Sequence, residues 1–292
     1  MFSASGHSAI LLLTGWLAFV GSAAAHPGVG IVMDRRGNVY FTDLAQVWRI
    51  DPQGRKSVAV RNVHTHELAL DAAGNLYGEH VWYEGDATKQ WGYRVWRLSP
   101  EGALTDVIPK QQGFLHDFSF VRDGAGNMYW AERGAQPSQT LIRKRAPDGA
   151  ISTLAPCPGC RDVRWMTAAA DGTVLFIDAG DLVEVSPAGA LRTVAKDLQE
   201  RVFTQPQVSQ LHLLMGLWTD AARNTYVAVY GARVVKKVSP RGQVQIAARS
   251  RFPWSPTGGF IAPNGDLWLL ECSSTNAVRV RRIGKDGRVT VF

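Results

Sequence analysis

Histidines and carboxylates occur together at several points of the 292-residue chain. Three segments open alike, with a histidine or arginine, then a carboxylate, then an apolar run; they begin at His66-Glu67, His116-Asp117 and Arg161-Asp162. Imidazole and carboxylate groups bind divalent metals, and they also act as general acids and bases. Their recurrence in one sequence setting therefore predicts a functional site assembled from repeated elements.

A second set of ionisable residues follows a recurring turn at a constant spacing. The residues five positions after the turn Asn, or its equivalent, are Asp43, His80, Glu132, Asp178, Val229 and Glu271. A carboxylate at such a place can simply accept hydrogen bonds from loop amides. We favour that structural role for Asp43, Asp178 and Glu271, and we retain His80 and Glu132 as site candidates.

Both sets are positioned by a two-turn sequence unit that occurs six times. In the first copy its halves are residues 34–40 (Asp-Arg-Arg-Gly-Asn-Val-Tyr) and 47–54 (Val-Trp-Arg-Ile-Asp-Pro-Gln-Gly). Short runs of alternating apolar residues bounded by Gly, Asn, Asp or Pro are typical of β-strands. A unit recurring about every 40–50 residues predicts an all-β fold, a six-bladed β-propeller whose blades are four-stranded antiparallel sheets.

The repeat also predicts the limits of the blades. With strands A to D in each, we expect blades over residues 30–61, 67–109, 117–155, 162–195, 216–248 and 258–292. Because every blade is then whole, the ring would close by packing of the sixth blade on the first. The tight glycine turns would share one face. The irregular connections would surround the channel mouth on the opposite face, and binding and catalytic residues concentrate on such loops. These connections carry His64, His66, His80, His116 and His212.

Aromatic residues cluster in the connection over residues 80–93. We expect Trp82, Tyr83, Trp91 and Tyr93 to form a lid or stacking platform over the channel, with Trp254 on the opposite wall. Aromatic faces suit sugar rings or apolar ligands. The alternative is that this loop only covers the edge of a neighbouring blade.

The unit over residues 37–54 resembles the NHL repeat. More broadly, the chain resembles the six-bladed superfamily of SMP-30/gluconolactonase-like lactonases, virginiamycin B lyases and peptide-amidating lyases. Amidating lyases hold zinc with histidines just before strand A in three blades; His66 and His116 match that placement, and blade 4 has Arg161 instead. Glu132 and Glu271 resemble the Glu that ends strand B in virginiamycin B lyases. The metal-binding Glu of the lactonases has no counterpart in residues 26–30.

The resemblance implies a metal-assisted hydrolase or lyase that acts on a small-molecule, peptide or sugar substrate. We expect a divalent ion (Zn, Ca or Mg) bound by His66 and His116, with His64, His80 or His212 completing the set. Glu67, Asp117 or Glu132 would serve as ligand or base, and Arg161 or Arg164 would hold an anionic group or oxyanion. The alternatives are a non-catalytic binding propeller and a purely structural one.

Residues 1–25 are typical of a secretory signal peptide. An uncharged apolar run over residues 9–21 precedes the small residues Ser22-Ala23-Ala24-Ala25, and the run is too short to span a bilayer comfortably. We therefore expect a secreted or periplasmic protein without a stable membrane span, with residues 26–292 forming the propeller. A retained membrane anchor is the alternative.

Charge and cysteines complete the sequence-based expectations. The formal net charge is +7, but the basic residues are spread over all the repeats, which indicates solubility rather than nucleic-acid binding. We expect a monomer. In an exported protein, Cys157 and Cys160 should form a short disulfide and Cys272 should stay free.

Overall fold

The computed structural model describes residues 27–85, 87, 90–113, 121–134, 140–169, 171–200 and 213–292. The predicted signal peptide over residues 1–25 lies outside these ranges, as does His26, so export stays a prediction. Across these ranges the chain folds into six four-stranded antiparallel sheets, and the predicted six-bladed β-propeller is confirmed. None of the helical structure in this part of the chain is long and apolar enough to cross a membrane.

Each blade consists of four strands that are consecutive in sequence and adjacent in the sheet. The first three blades comprise β1 Ile31–Met33, β2 Val39–Thr42, β3 Gln46–Ile50 and β4 Lys56–Arg61; β5 Leu68–Leu70, β6 Leu76–Tyr83, β7 Trp91–Leu98 and β8 Leu104–Gln112; and β9 Val121–Arg122, β10 Met128–Glu132, β11 Leu141–Arg145 and β12 Ile151–Pro156. The last three comprise β13 Val163–Ala168, β14 Val174–Asp178, β15 Asp181–Val185 and β16 Leu191–Ala195; β17 Leu217–Thr219, β18 Thr225–Val229, β19 Val234–Val238 and β20 Val244–Arg249; and β21 Trp254–Ile261, β22 Leu267–Ser273, β23 Val278–Ile283 and β24 Val289–Val291.

The second blade differs from the sequence-based expectation. Both ends of the connection predicted as a loop over residues 80–93 are strand, because β6 continues to Tyr83 and β7 begins at Trp91. The hairpin closes where the Glu84 amide donates to the Gln90 carbonyl at 2.9 Å. The four aromatic residues predicted to form a lid or stacking platform therefore lie in β6 and β7 of an elongated blade.

The repeated Asp of the first turn organises the hairpin between strands A and B. In blade 2 the Asp71 carboxylate accepts the amide of Asn75 at 2.9 Å, its side-chain N–H at 2.8 Å and the Tyr77 hydroxyl at 2.9 Å. Gly74 supplies the positive φ of this turn, at 84°. The corresponding carboxylates of blades 1, 3 and 5 make the same set of bonds; they are Asp34, Asp123 and Asp220.

The ring closes by packing between whole blades, as predicted. Ile31 and Phe41 of blade 1 share a buried cluster with Leu270 and Trp268 of blade 6. The ring of Phe292 stacks on Trp268 with centroids 5.4 Å apart. No sheet combines strands from the two ends of the described chain.

The A strands line the centre of the ring, where glycines allow neighbouring strands to approach closely. The amides of Val29 and Gly30 both donate to the His66 carbonyl, at 2.8 and 2.7 Å. At Gly258 an added Cβ would lie 2.0 Å from the Val29 carbonyl oxygen, so no larger residue fits. The remaining central cavity is about 250 Å³.

Candidate functional site

Three of the predicted histidines meet in blade 2. His64 and His66 lie in the connection between β4 and β5, and His80 lies in β6. The His64 and His66 rings are in edge contact, with centroids 4.7 Å apart. His116, Asp117 and His212 lie outside the described residues.

A buried carboxylate, Glu79, fixes His66. Its Oε1 atom accepts the amide N–H of His66 and lies 3.1 Å from His66 Nδ1, and the Glu67 amide is 3.4 Å away. Because this oxygen accepts from the amide, it is an acceptor for the imidazole as well. The proton of a neutral His66 is therefore on Nδ1, and Nε2 is its basic nitrogen.

The pair is held rigidly on both sides. His66 and Glu79 are 4% and 3% exposed. The Glu79 carbonyl accepts the Thr65 hydroxyl at 2.5 Å and the Trp96 indole N–H at 3.1 Å. With the His66 carbonyl bonded to blade 1, both residues are fixed in one geometry, as a catalytic pair requires.

His80 has a different role from His66. Its Nδ1 accepts the His64 amide at 2.8 Å, which places the proton of the neutral ring on Nε2. Burial lowers the pKa of His80, and the charges of Arg94 and Lys110 lower it further. Burial, with the neighbouring His66, also lowers the pKa of His64. Both rings are therefore neutral at neutral pH.

Glu67 is the candidate carboxylate that reaches the channel. Its side chain is buried and lines the central cavity with Gly30, Trp165, Gly216 and Trp218. Trp165 sits on a β-bulge with φ at 46°, a conformation that costs a non-glycine residue energy. The central cavity therefore presents a carboxylate and aromatic faces, and Glu67 directly follows His66 of the buried His66–Glu79 pair in the chain.

The described residues do not complete the predicted metal site. In these ranges no three His, Cys, Asp or Glu side chains are grouped so that they could hold a metal ion. In the arrangement observed, neutral His80 offers no lone pair, because Nδ1 is hydrogen-bonded and Nε2 holds the proton. The set of His64, His66 and His80 alone does not fit a divalent ion.

The two predicted arginines are each engaged by carboxylates. Arg164 Nε donates to Asp162 at 2.7 Å. Arg161 is largely exposed and lies 3.4 Å from Asp181. The cavity beside Arg164 is only about 40 Å³. The structure therefore gives neither arginine an uncommitted charge for the predicted oxyanion role.

Glu132 does not line the central cavity. It lies in a groove between blades 2 and 3, where Arg143 Nε is 3.0 Å from its carboxylate. Its position in the chain, at the end of strand B, is as predicted, but its surroundings differ from those of His66 and Glu67. Glu132 and Glu67 therefore do not belong to one cluster.

The predicted aromatic platform is divided between two surfaces. Trp82 stacks on His80 with centroids 5.5 Å apart, whereas Tyr83 contacts Trp91 at 4.9 Å. Because side chains alternate along a strand, Trp82 projects from one face of the sheet, and Tyr83, Trp91 and Tyr93 project from the other.

Trp254 of blade 6 is covered by Arg279, whose guanidinium lies 4.2 Å from the ring centroid. This contact lies within blade 6, because Arg279 is in β23 and Trp254 is in β21. It does not bring Trp254 to the aromatic residues of blade 2.

The remaining carboxylates have structural roles. Asp43 accepts the amides of Ala45 and Gln46, each at 2.9 Å, and Asp178 accepts those of Arg161 and Asp162 at 2.8 and 2.6 Å. Glu271 instead binds side chains and is fully buried; its partners are Ser250, Arg279 and Arg281.

The cysteines are arranged for structure rather than for reaction. Cys157 and Cys160 form a disulfide, and Cys272 is free and buried. Burial raises the pKa of Cys272 to about 11, so its thiol is protonated and unreactive at neutral pH.

Glu79 is the site residue that the sequence-based prediction missed. It lies four positions after the turn Asn, and the other blades have Thr42, Ala131, Ile177, Ala228 and Leu270 at that point. A single ionisable residue at a place otherwise occupied by apolar residues or Thr was the available signal.

The comparisons with known proteins establish the architecture. No protein-family model matches the sequence, and no curated protein matches it. Among solved structures, virginiamycin B lyase from Staphylococcus aureus is 12% identical, with 91% of this chain and 84% of that chain covered and a TM-score of 0.52.

Two further solved structures are similar over most of their length. Regucalcin, a calcium-binding protein from Agrobacterium tumefaciens, is 16% identical, with 84% and 81% covered and a TM-score of 0.53. A gluconolactonase from Xanthomonas campestris is 10% identical, with 86% and 85% covered and a TM-score of 0.56. At these identities the likeness concerns the fold: the chain has the six-bladed β-propeller architecture of the lyases and lactonases that its repeats resemble.

Proposed function

We propose that this protein is a hydrolase or lyase that works by general acid–base catalysis at the mouth of the channel. The main observation behind this proposal is the His66–Glu79 pair, in which a buried carboxylate fixes the tautomer of the imidazole. A carboxylate in this position also stabilises the imidazolium that forms when His66 takes up a proton. The pair adjoins Glu67, which lines the channel cavity.

Both reaction classes begin with a proton transfer to His66. In lactone hydrolysis, His66 Nε2 would take a proton from water as its oxygen adds to the carbonyl carbon. In an elimination, His66 would take a proton from a carbon next to a carbonyl as the bond to the leaving oxygen breaks. In both cases Glu67, in its protonated form, would return a proton to the departing oxygen.

These two reactions are the first to test, because the solved structures with a similar fold include a lyase and a gluconolactonase. A divalent ion remains a separate hypothesis. It would need ligands from His116, Asp117 or His212 in addition to His66, and no step above is assigned to it. Metal analysis of the purified protein, with and without chelator, tests that hypothesis directly.

The acid–base proposal is tested with a panel of lactones in a pH-indicator assay and with esters whose elimination creates an absorbing double bond. We expect His66→Ala to lower kcat/KM by about 10²–10⁴-fold, as for loss of a general base. Glu79→Gln should lower kcat with little change in KM. Asp43→Asn, which removes a loop carboxylate, is the matched control and should leave kcat/KM unchanged.

Undiminished turnover in the His66→Ala variant would contradict the assignment of His66 as the base. Ligand binding at the channel without turnover of any compound would favour the non-catalytic binding propeller instead. The proposal would be supported if the His66→Ala variant lost turnover of a compound that the wild-type protein converts. An unchanged thermal transition would show that this variant is folded.

A further inference from the structure

One position of the blade repeat breaks its pattern in blade 3 alone. The last residue of strand C, paired with the first of strand B, is aliphatic in five blades: Ile50, Leu98, Val185, Val238 and Ile283. In blade 3 this position is Arg145, paired with Met128. The exchange of a packing residue for a charged one calls for a physical explanation.

The aliphatic residues at this position fill the space between neighbouring blades. Ile50, Val185 and Val238 are at most 1% exposed, and each belongs to a buried cluster. Beside Arg145 there is instead an open groove of about 440 Å³ between blades 2 and 3. This volume lies in the range of small-molecule sites, about 300–1,000 Å³.

The groove has an aromatic and apolar lining. Tyr93 and Ile108 come from blade 2, and Met128 and Trp130 come from blade 3. The Tyr93 hydroxyl donates to Gln111 at 2.7 Å, which fixes the ring on one wall. Flat rings pack favourably against such aromatic faces.

Arg145 brings an uncommitted positive charge to this lining. It is half-buried and forms no hydrogen bond or ion pair with the described residues, because the neighbouring Glu132 is engaged by Arg143 at 3.0 Å. Basic residues between other blades do have partners, as Lys236 has with Glu200 at 2.6 Å and Arg281 with Glu271 at 2.8 Å.

We infer that this groove binds a small organic anion that carries a flat aromatic ring. The ring would lie between Tyr93 and Trp130, and the carboxylate would pair with Arg145, whose planar guanidinium suits a two-bond contact. The groove shares no lining residue with the central cavity, so this site is distinct from the acid–base site.

Calorimetric titration of the purified protein tests the inference. The probes are naphthoate, a fused ring with one carboxylate, and naphthalenemethanol, the same ring without the charge. We expect naphthoate to bind the wild-type protein and the alcohol to bind at least about tenfold more weakly, because it lacks the charge-assisted pair. Arg145→Leu restores the aliphatic side chain of the other blades and should fold normally.

Arg145→Leu should weaken naphthoate binding at least about tenfold and leave the alcohol unaffected. Trp130→Leu should weaken both probes. Arg49→Leu, at an exposed place in strand C of blade 1, is the matched control and should change neither. Wild-type protein that binds no naphthoate, or an Arg145→Leu variant that binds it as tightly as wild type, would overturn the inference.

Discussion

At the scale of single residues, the half-buried imidazoles of His64 and His80 make stability depend on pH. Both pKa values lie below the usual 6.5 in the folded protein. As the pH falls through 6.5, the unfolded chain takes up protons before the folded one does, so acidification favours unfolding. The free energy of unfolding should therefore be highest at neutral pH. It should decrease as the pH falls from 6.5 towards the lowered pKa values of His64 and His80.

Urea unfolding at a series of pH values from about 7.5 to about 5 measures this dependence. The His64→Gln, His80→Gln double variant should show a flatter profile than wild type. An equal slope in both proteins would mean that other groups, such as the turn carboxylates, cause the loss.

Glu271 should be the most costly single carboxylate to remove. It is fully buried and pairs with Arg279 at 2.7 Å and Arg281 at 2.8 Å. Glu271→Ala would leave these guanidinium groups without their buried partner, and we expect a loss of about 3–5 kcal/mol in the free energy of unfolding. Chemical denaturation measures it.

Glu132→Ala is the control for Glu271→Ala. Its pair with Arg143 is partly exposed, so the expected loss is only about 0–1 kcal/mol. Similar losses in the two variants would show that burial does not set the strength of these pairs.

The sequence predicted which connections carry ionisable residues, but not which of these residues form a cluster. His80 was identified by its spacing from the turn, and His66 by its place before strand A, which recurs in three blades; His64 was added because it lies just before His66. Glu79 and Arg145 were missed as site residues because each is an exception at a position that is apolar, or Thr, elsewhere. The spacing from the turn Asn already displays the exception at Glu79, and strand register extends the alignment of the blades to the end of strand C, where Arg145 lies.

At the scale of elements, the turn between strands A and B depends on its Asp. In blade 2, burial raises the pKa of Asp71, but hydrogen bonds from Asn75 and Tyr77 outweigh this effect and leave its pKa below the usual value. Asp71→Ala would remove these bonds, and we expect a loss of about 1–3 kcal/mol. Thermal and urea unfolding measure the loss.

Asp148→Ala tests whether the loss of stability is specific to the turn between strands A and B. Asp148 is exposed and accepts one amide hydrogen bond, from Ala150 at 2.9 Å. Its removal should change stability by less than about 0.5 kcal/mol. A loss as large as that of Asp71→Ala would contradict the special role of the first turn.

The strands were predictable wherever apolar alternation met a glycine turn, as in blade 1. The hairpin of blade 2 was not, because residues 84–90 are polar or small and are typical of a loop. There the alternation continues through Val81, Tyr83, Trp91 and Tyr93 on one face. Pairing between two strands, which a single sequence does not display, extends β6 to Tyr83 and begins β7 at Trp91.

At the scale of the whole molecule, the contact between blades 6 and 1 should be sensitive to Phe292. The stacking of this ring on Trp268 joins β24 to the core of the seam. Phe292→Ala should lower the free energy of unfolding by about 1–2 kcal/mol, because part of an aromatic side chain loses its burial. Amide hydrogen exchange should increase first in β23, β24 and β1.

Val289→Ala is the control, since Val289 begins β24, three residues before Phe292, and is exposed. It should leave both stability and exchange close to wild type. Uniform acceleration of exchange in all six blades by Phe292→Ala would contradict a local effect at the seam.

The closure of the ring by whole blades has a mechanical consequence. In the described chain, β1 is the innermost strand of its sheet and β24 is the edge strand of its sheet, and neither is clamped by a strand from the other blade. A force applied between the two ends would therefore peel β24 from β23, breaking their hydrogen bonds one after another. In a propeller whose two ends share one sheet, the force would act on all the hydrogen bonds of the shared strand at once, and the sheet would resist a larger force. Single-molecule stretching should thus begin with a weak event at β24, after which the sixth blade detaches.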